Sequence, residues 1–453
     1  MVNGSTPGVK STGLISYGSV GDKQEAGIYV HIPFCDHKCI YCDFYSIIKE
    51  DNKAAYLAAL KREIEHFAPL YSGSYRFSTL YFGGGTPSLM EPEYLGEIIS
   101  CIKANYEVSP DAEITMETNP GTISPEKFAG FKAVGINRVS IGIQSFDEDD
   151  LKFLTRIHTG EAAVKTVKDA ATVGFDNISL DLIFNLPGQS KEKWLRNLEV
   201  AAELPVKHIS AYSLILERGT ILNKMVLDGR VEMQDEDIDT ELYETTIDFW
   251  EAAGFRHYEV SNYCLPGYEC RHNLIYWNCG NYLSFGTAAH SYMQKKRWWN
   301  FSALSLYNAS VAKKGEAVAG SEVLSENDLY EEYVMLGLRS GGIRMVGGAS
   351  GEDHKGFYPA SFNCSSGDLG SGGIWDVGAS KFTFPTRKEN GHKGIREVGG
   401  VSGEMGLPSA WFEERGDIIK PLIAGGKLFW NDNLLRLTKK GFSLCDEIVE
   451  RLL

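Results

Sequence analysis

Between Gly27 and about Leu216 the chain alternates short apolar runs with amphipathic stretches, and no other feature limits the fold so tightly. "GIYVHI", "FSTLYF", "EITMET", "RVSIGI", "NISLDLIF" and "HISAYSLIL" read as strands bounded by Gly, Pro or Asn. "KAAYLAALKREIEHF" and "EYLGEIISCIKANY" read as helices between them. Strands that alternate with helices form parallel βαβ units. Six units predict an α/β fold, an open sheet or a partial (β/α)6 barrel, with functional groups gathered at the C-terminal ends of the strands. Polar residues cluster at those ends. The first strand runs into His31 and a cysteine loop, the second into "GGGTP" (Gly83 to Pro87), and the third into Glu117-Thr118-Asn119-Pro120. The fourth ends in Gln144-Ser145-Phe146, the fifth carries Asp181 and ends in Asn185-Leu186-Pro187-Gly188, and the sixth carries Tyr212 and Ser213, then Glu217.

The rest of the 453 residues divides by composition. Residues 1–26 read as a flexible leader and 27–235 as the (β/α) core. Residues 236–340 read as an extension with a helix at about Asp235–Ala253 and a His- and aromatic-rich stretch. Residues 341–406 hold roughly a third of the chain's 48 glycines without periodicity, which predicts a loop-rich insertion. Residues 407–453 read as a small mixed C-terminal domain ending in a strand, a turn and a helix. A formal charge of −15 argues against broad binding to nucleic acid, since phosphate contacts need clustered Lys and Arg. No apolar run is long enough to predict a transmembrane helix. The N-terminus lacks the profile of a signal or transit peptide, so a cytoplasmic location is expected.

Nine cysteines, an odd number, do not make a secreted disulfide framework. Three of them, Cys35, Cys39 and Cys42, are spaced C-x3-C-x2-C. Thiolates this close converge on one small object, and their preferred partners are zinc, copper(I) and iron–sulfur clusters. Zinc would take His31 or His37 as a fourth ligand. A 4Fe-4S cluster usually takes four Cys, so three would leave one iron open. The three glycines of "GGGTP" let backbone approach a ligand closely. Asp181, a carboxylate inside an apolar strand, needs a partner if buried, and Arg156 is the natural candidate.

The C-x3-C-x2-C run with Tyr41 before its last Cys resembles the signature of radical S-adenosylmethionine (SAM) proteins. The resemblance implies a radical-SAM barrel, a 4Fe-4S cluster on Cys35, Cys39 and Cys42, and SAM on the open iron, cleaved by one electron from a low-potential donor. It also implies SAM contacts from Gly84, Gly85 and Thr86 in "GGGTP", from Glu117 in "ETNPGT", from Gln144, Arg156 and Asp181, and from Tyr29 and Tyr41 beside them.

The longer string "YVHIPFCDHKCIYCDFYS … LYFGGGTPS … ETNPGT … GINRVSIGIQSF … LDLIFNLPGQS … HISAYSLILERGT" resembles the oxygen-independent coproporphyrinogen III oxidase family over roughly residues 27–340. Its decarboxylating members carry a fourth cysteine two residues after the third, and a longer segment ahead of the cluster. Here that position is Phe44 and the leader is short. Both features, with "HNLIYW" (His272, Asn273, Tyr276, Trp277), resemble the family's heme chaperone subgroup (HemW type). That resemblance implies binding of heme, with His272 as a candidate axial ligand, and delivery of heme to acceptor hemoproteins with peripheral membrane contact. The alternative is SAM-dependent radical decarboxylation of coproporphyrinogen III to protoporphyrinogen IX.

Overall fold

The computed structural model of the chain describes residues 23–48, 52–346 and 406–453. The six expected strands are present: β1 (Gln24–Ile32), β2 (Tyr75–Gly84), β3 (Glu107–Thr118), β4 (Arg138–Gln144), β5 (Asn177–Phe184) and β6 (His208–Ser213). They pair in sequence order and all in parallel. Strand β1 begins at Gln24, pairing with Tyr75, so residues 24–26 of the expected leader belong to the sheet. The connecting helices are α1 (Lys53–Tyr71), α2 (Pro92–Asn105), α3 (Pro125–Ala133), α4 (Glu148–Phe153), α5 (Gly160–Thr172) and α6 (Lys191–Ala202). Local chemistry sets where they start. Ser124, Thr159 and Ser190 cap α3, α5 and α6 by accepting a hydrogen bond from the backbone N–H three residues on.

Strand β4 shows how the sheet builds both a core and a site. Val139, Ile141 and Ile143 are fully buried apolar residues of the core. Arg138, Ser140, Gly142 and Gln144, in the alternate positions, line a cavity inside the curved sheet. Side chains alternate between the faces of a strand, so one seven-residue segment serves both layers.

The sheet continues beyond the six-strand core. After α7 (Ile221–Leu227) and α8 (Glu236–Ala252), strand β7 (Arg256–Glu259) pairs antiparallel with β8 (Asn262–Cys264), which adds antiparallel to β6. After α9 (Arg271–Trp277), β9 (Asn281–Phe285) adds parallel to β1 on the opposite edge. Antiparallel strands β10 (His290–Met293), β11 (Lys296–Asn300) and, after α10 (Leu304–Lys314), β12 (Val318–Val323) follow it. The result is one open twelve-stranded sheet, not a closed barrel.

Helix α11 (Glu326–Leu338) leads into a separate four-stranded sheet of β13 (Ile343–Val346), β14 (Leu407–Pro408), β15 (Leu428–Asn431) and β16 (Leu434–Leu437). With α12 (Ser409–Glu414), α13 (Gly416–Ala424), α14 (Lys439–Phe442) and α15 (Cys445–Leu452) it forms a smaller unit with its own apolar core. That core takes in Tyr330, Tyr333 and Val334 of α11, upstream of the compositional change at residue 341. Residues 347–405 of the Gly-rich stretch lie outside the described residues. Among the described residues no helix is long and apolar enough to cross a membrane.

Candidate functional site

All thirteen residues singled out in the sequence line one cavity of about 920 Å³. Tyr29, Gly84, Glu117, Gln144 and Asp181 come from five successive strands of the parallel core. Cys35, Cys39, Tyr41 and Cys42 come from the loop after β1, Gly85 and Thr86 from the turn after β2, Arg156 from the segment after α4, and His272 from α9.

The cysteine loop is anchored at both ends of its first cysteine. Cys35 N–H donates to the Ile47 carbonyl at 3.0 Å and Ile47 N–H to the Pro33 carbonyl at 2.7 Å. All three cysteines are free and partly exposed. The Cys35 thiol lies 3.4 Å from Thr86 Oγ1, and Arg156 Nη1 lies 3.7 Å from Cys39 Sγ. Burial pushes the Cys42 thiol up, opposed by the nearby Lys38 ammonium. His31 turns away from the thiols. Its Nδ1 meets Tyr29 Oη at 3.2 Å, its Nε2 meets the Tyr45 carbonyl at 3.0 Å, and burial pulls its pKa down to about 4. His31 therefore does not complete a zinc site. Among the described residues no three His, Cys, Asp or Glu side chains lie close enough to share a single metal ion.

The glycine turn fits against this loop. Gly85 N–H donates to the Ile32 carbonyl at 2.8 Å and Thr86 N–H to the Phe34 carbonyl at 2.7 Å. A Cβ on Gly85 would meet the Phe34 carbonyl oxygen at 2.5 Å, and Gly84 holds φ at +113°, where a side chain is strained. The turn is thus glycine because backbone packs directly on the cysteine loop. Gly84 N–H also donates to Glu117 Oε2 at 3.2 Å, while Tyr81 Oη donates to Glu117 Oε1 at 2.9 Å. Burial, then the charge of Asp181, raises the Glu117 carboxyl to about 7 in spite of these bonds.

Arg156 and Asp181 do not pair with each other. Arg156 Nη2 donates to Asn119 Oδ1 at 2.7 Å and to the Gly142 carbonyl. Asn119 Nδ2 donates in turn to Thr86 Oγ1 at 2.8 Å. Asp181 accepts from Ser140 Oγ at 3.1 Å, and burial raises its carboxyl against the help of Ser210 and Ser140. The sequence carried Asn119 only as the end of a strand. Its bridging place between Thr86 and Arg156 depends on three separate loops meeting. Gln144 ends β4 at φ +69°, which turns the chain at the rim of the cavity.

His272 lines the cavity from α9 with both ring nitrogens engaged. It is buried to 1% exposure, its Nδ1 bonds Thr79 Oγ1 at 2.7 Å, and its Nε2 bonds Tyr276 Oη at 2.8 Å. Its backbone N–H donates to Glu113 at 3.3 Å, and its ring stacks 5.1 Å from that of Tyr81. Burial pulls its pKa to about 3. An iron ligand needs a free ring nitrogen, and both of these are engaged. His272 instead holds α9 against β2.

Comparison with known proteins shows the family. The Radical SAM superfamily model matches residues 29–201. Heme chaperone HemW of Mycobacterium tuberculosis (strain H37Rv) is 38% identical over 320 residues, covering 70% of this chain and 82% of that protein. The chain belongs to the HemW family. HemW of Bacillus subtilis is 35% identical, covering 69% of this chain and 82% of its own length. A mitochondrial radical S-adenosyl methionine domain-containing protein 1 of Bos taurus is 35% identical, covering 70% and 74%. Coproporphyrinogen III oxidase (HemN) of Escherichia coli superposes with a TM-score of 0.69 at 20% identity, over 95% of this chain and 90% of that one. That likeness shows the shared fold. A Radical SAM domain implies a 4Fe-4S cluster and SAM. The donor set fits such a cluster better than a lone ion. A cubane takes each thiolate on a different iron, so its ligands stand apart instead of meeting at one point.

Proposed function

We propose that this chain is a heme chaperone. In this reading it holds a 4Fe-4S cluster and SAM at the C-terminal ends of its parallel strands, binds heme, and delivers it to acceptor hemoproteins. The observation that carries the reading is its 35–38% identity with HemW proteins across four-fifths of their length. Phe44 supports it from within the site. It lines the cavity two residues after Cys42, where the decarboxylating relatives carry a fourth cysteine.

Cys35, Cys39 and Cys42 hold the cluster. Gly84, Gly85, Thr86, Glu117, Gln144, Arg156 and Asp181, with Tyr29 and Tyr41, surround SAM. When bound, the cluster supplies one electron to SAM. The chain's own residues orient the two and keep water out. The raised Glu117 carboxyl stands beside the Gly84 N–H, where a bound ammonium would restore its charge. A low-potential reductant supplies the electron, and the reducing cytoplasm, where free cysteines persist, is the compartment.

The test is anaerobic purification and cluster reconstitution, then heme titration beside an assay for CO2 release from coproporphyrinogen III. Stoichiometric heme binding and transfer to an apo-hemoprotein, without CO2, is the expected result. CO2 release without stable heme binding would replace this reading with the oxidase.

A further inference from the structure

The cavity extends well below the cysteine loop. Cavity-lining positions of β4 run from Gln144 at the cluster end to Arg138 at the start of the strand, six residues and about 20 Å away. The floor there is α9, whose His272, Asn273, Tyr276 and Trp277 also line the cavity. "HNLIYW" is thus the floor of the barrel, at the far end from the thiols.

Arg138 lines the cavity at this end, and it is only 2% exposed. Its Nε is buried with no hydrogen-bond partner, and the Glu113 carboxylate favours its charge without a hydrogen bond between them. The nearest carboxylates are committed elsewhere. Glu113 accepts from the backbone N–H groups of Arg271 and His272, Glu117 from Tyr81 and Gly84, and Asp181 from Ser140. A buried guanidinium is costly unless an anion meets it, and its planar fork suits a carboxylate held by two parallel hydrogen bonds.

We propose that Arg138 is the binding site for a carboxylate of the ligand that fills the barrel, and that this ligand is a propionate-bearing tetrapyrrole standing edge-on with one propionate on the floor. The choice of tetrapyrrole rests on the heme chaperone reading. The site itself rests on the geometry of Arg138. Flat side chains suit such a ligand: Tyr81 and Tyr276 both line the cavity, and Tyr81 lies near Arg138. SAM also carries a carboxylate, but the reach from the thiols to the floor spans the whole of β4.

The experiment titrates the reconstituted holoprotein anaerobically with heme, with heme dimethyl ester, and separately with SAM. Wild type should bind heme roughly ten- to a hundredfold more tightly than the diester, the size of one charge-assisted pair. Arg138→Met should erase that preference, Arg138→Lys should keep part of it, and neither should move SAM affinity. The wild-type comparison stands even if a variant folds poorly. Equal affinity of wild type for heme and its diester would overturn the proposal. So would loss of SAM binding in Arg138→Met with heme affinity unchanged, which would give the site to SAM's carboxylate. A wild type that binds neither porphyrin would defeat the heme chaperone reading, and with it the tetrapyrrole.

Discussion

Glu63 offers a measurement of how the extension is fastened to the barrel. It lies on α1 with no exposed surface and ties three distant elements together. Its Oε2 accepts from Tyr307 Oη at 2.6 Å and from Gly286 N–H at 2.9 Å, and its Oε1 accepts from Asn300 Nδ2 at 2.6 Å. Burial raises its carboxyl from 4.5 to about 7, against the pull of those three bonds. A carboxyl raised in the folded state gives its full stability below the unfolded pKa, and loses it as pH climbs through the folded value. At about 1.4 kcal/mol per pH unit the loss totals roughly 3 kcal/mol, of which roughly 2 fall between pH 5.5 and 8. Glu63→Gln cannot ionise. Its amide nitrogen can donate to Tyr307 Oη, which leaves Gly286 N–H without an acceptor, at a cost of about 1–3 kcal/mol. The variant should therefore be less stable than wild type at pH 5.5 and should close most of that gap by pH 8. Urea unfolding of both proteins at the two pH values measures the difference, and effects of all other groups cancel in the comparison. A stability gap that is the same at pH 5.5 and pH 8 would refute the reasoning, because Glu63 would then not titrate in that window.

Three other outcomes follow from the site. Cys39→Ala should abolish the cluster's visible absorption after anaerobic reconstitution; a full chromophore in that variant would remove Cys39 from the ligand set. Gly85→Ala drives a Cβ into the Phe34 carbonyl oxygen, so it should displace the cysteine loop and cut cluster incorporation severalfold. Measured iron and sulfide content reports this, and wild-type content would mean the turn yields easily. His272→Ala leaves Thr79 and Tyr276 hydroxyls unpaired beside a new void, a loss of about 2–4 kcal/mol. Urea unfolding of the heme-free protein should show it, whereas an unchanged midpoint would mean the residue serves only a ligand.

What the sequence could state, and where it stopped, follows from the range of each interaction. Apolar alternation and turn residues are local, so β1 to β6, the glycine turn and the polar strand ends were legible from the string. The residues at those ends were then bound to meet, because parallel strands joined by helices place their C-terminal ends on one side. Arg156 with Asp181 was a reasonable pairing from composition. The structure gave Arg156 to Asn119 and Asp181 to Ser140, a choice made by backbone geometry three loops apart. His272 read as a candidate ligand because its motif is exposed to view in the sequence. Only the packing of α9 under β2 shows both ring nitrogens occupied.

The sequence by itself determined the six core strands, the thiol loop and the family. Each of those is written in spacing, and spacing is preserved whatever the chain does at long range. The tertiary structure alone decided that the sheet stays open, with β9 returning to lie parallel to β1 and β8 antiparallel to β6. It also decided that Glu63 and Arg138 are buried, the one met by three donors and the other with its Nε facing no acceptor. Burial depends on which faces meet across more than a hundred residues, and no local pattern records that.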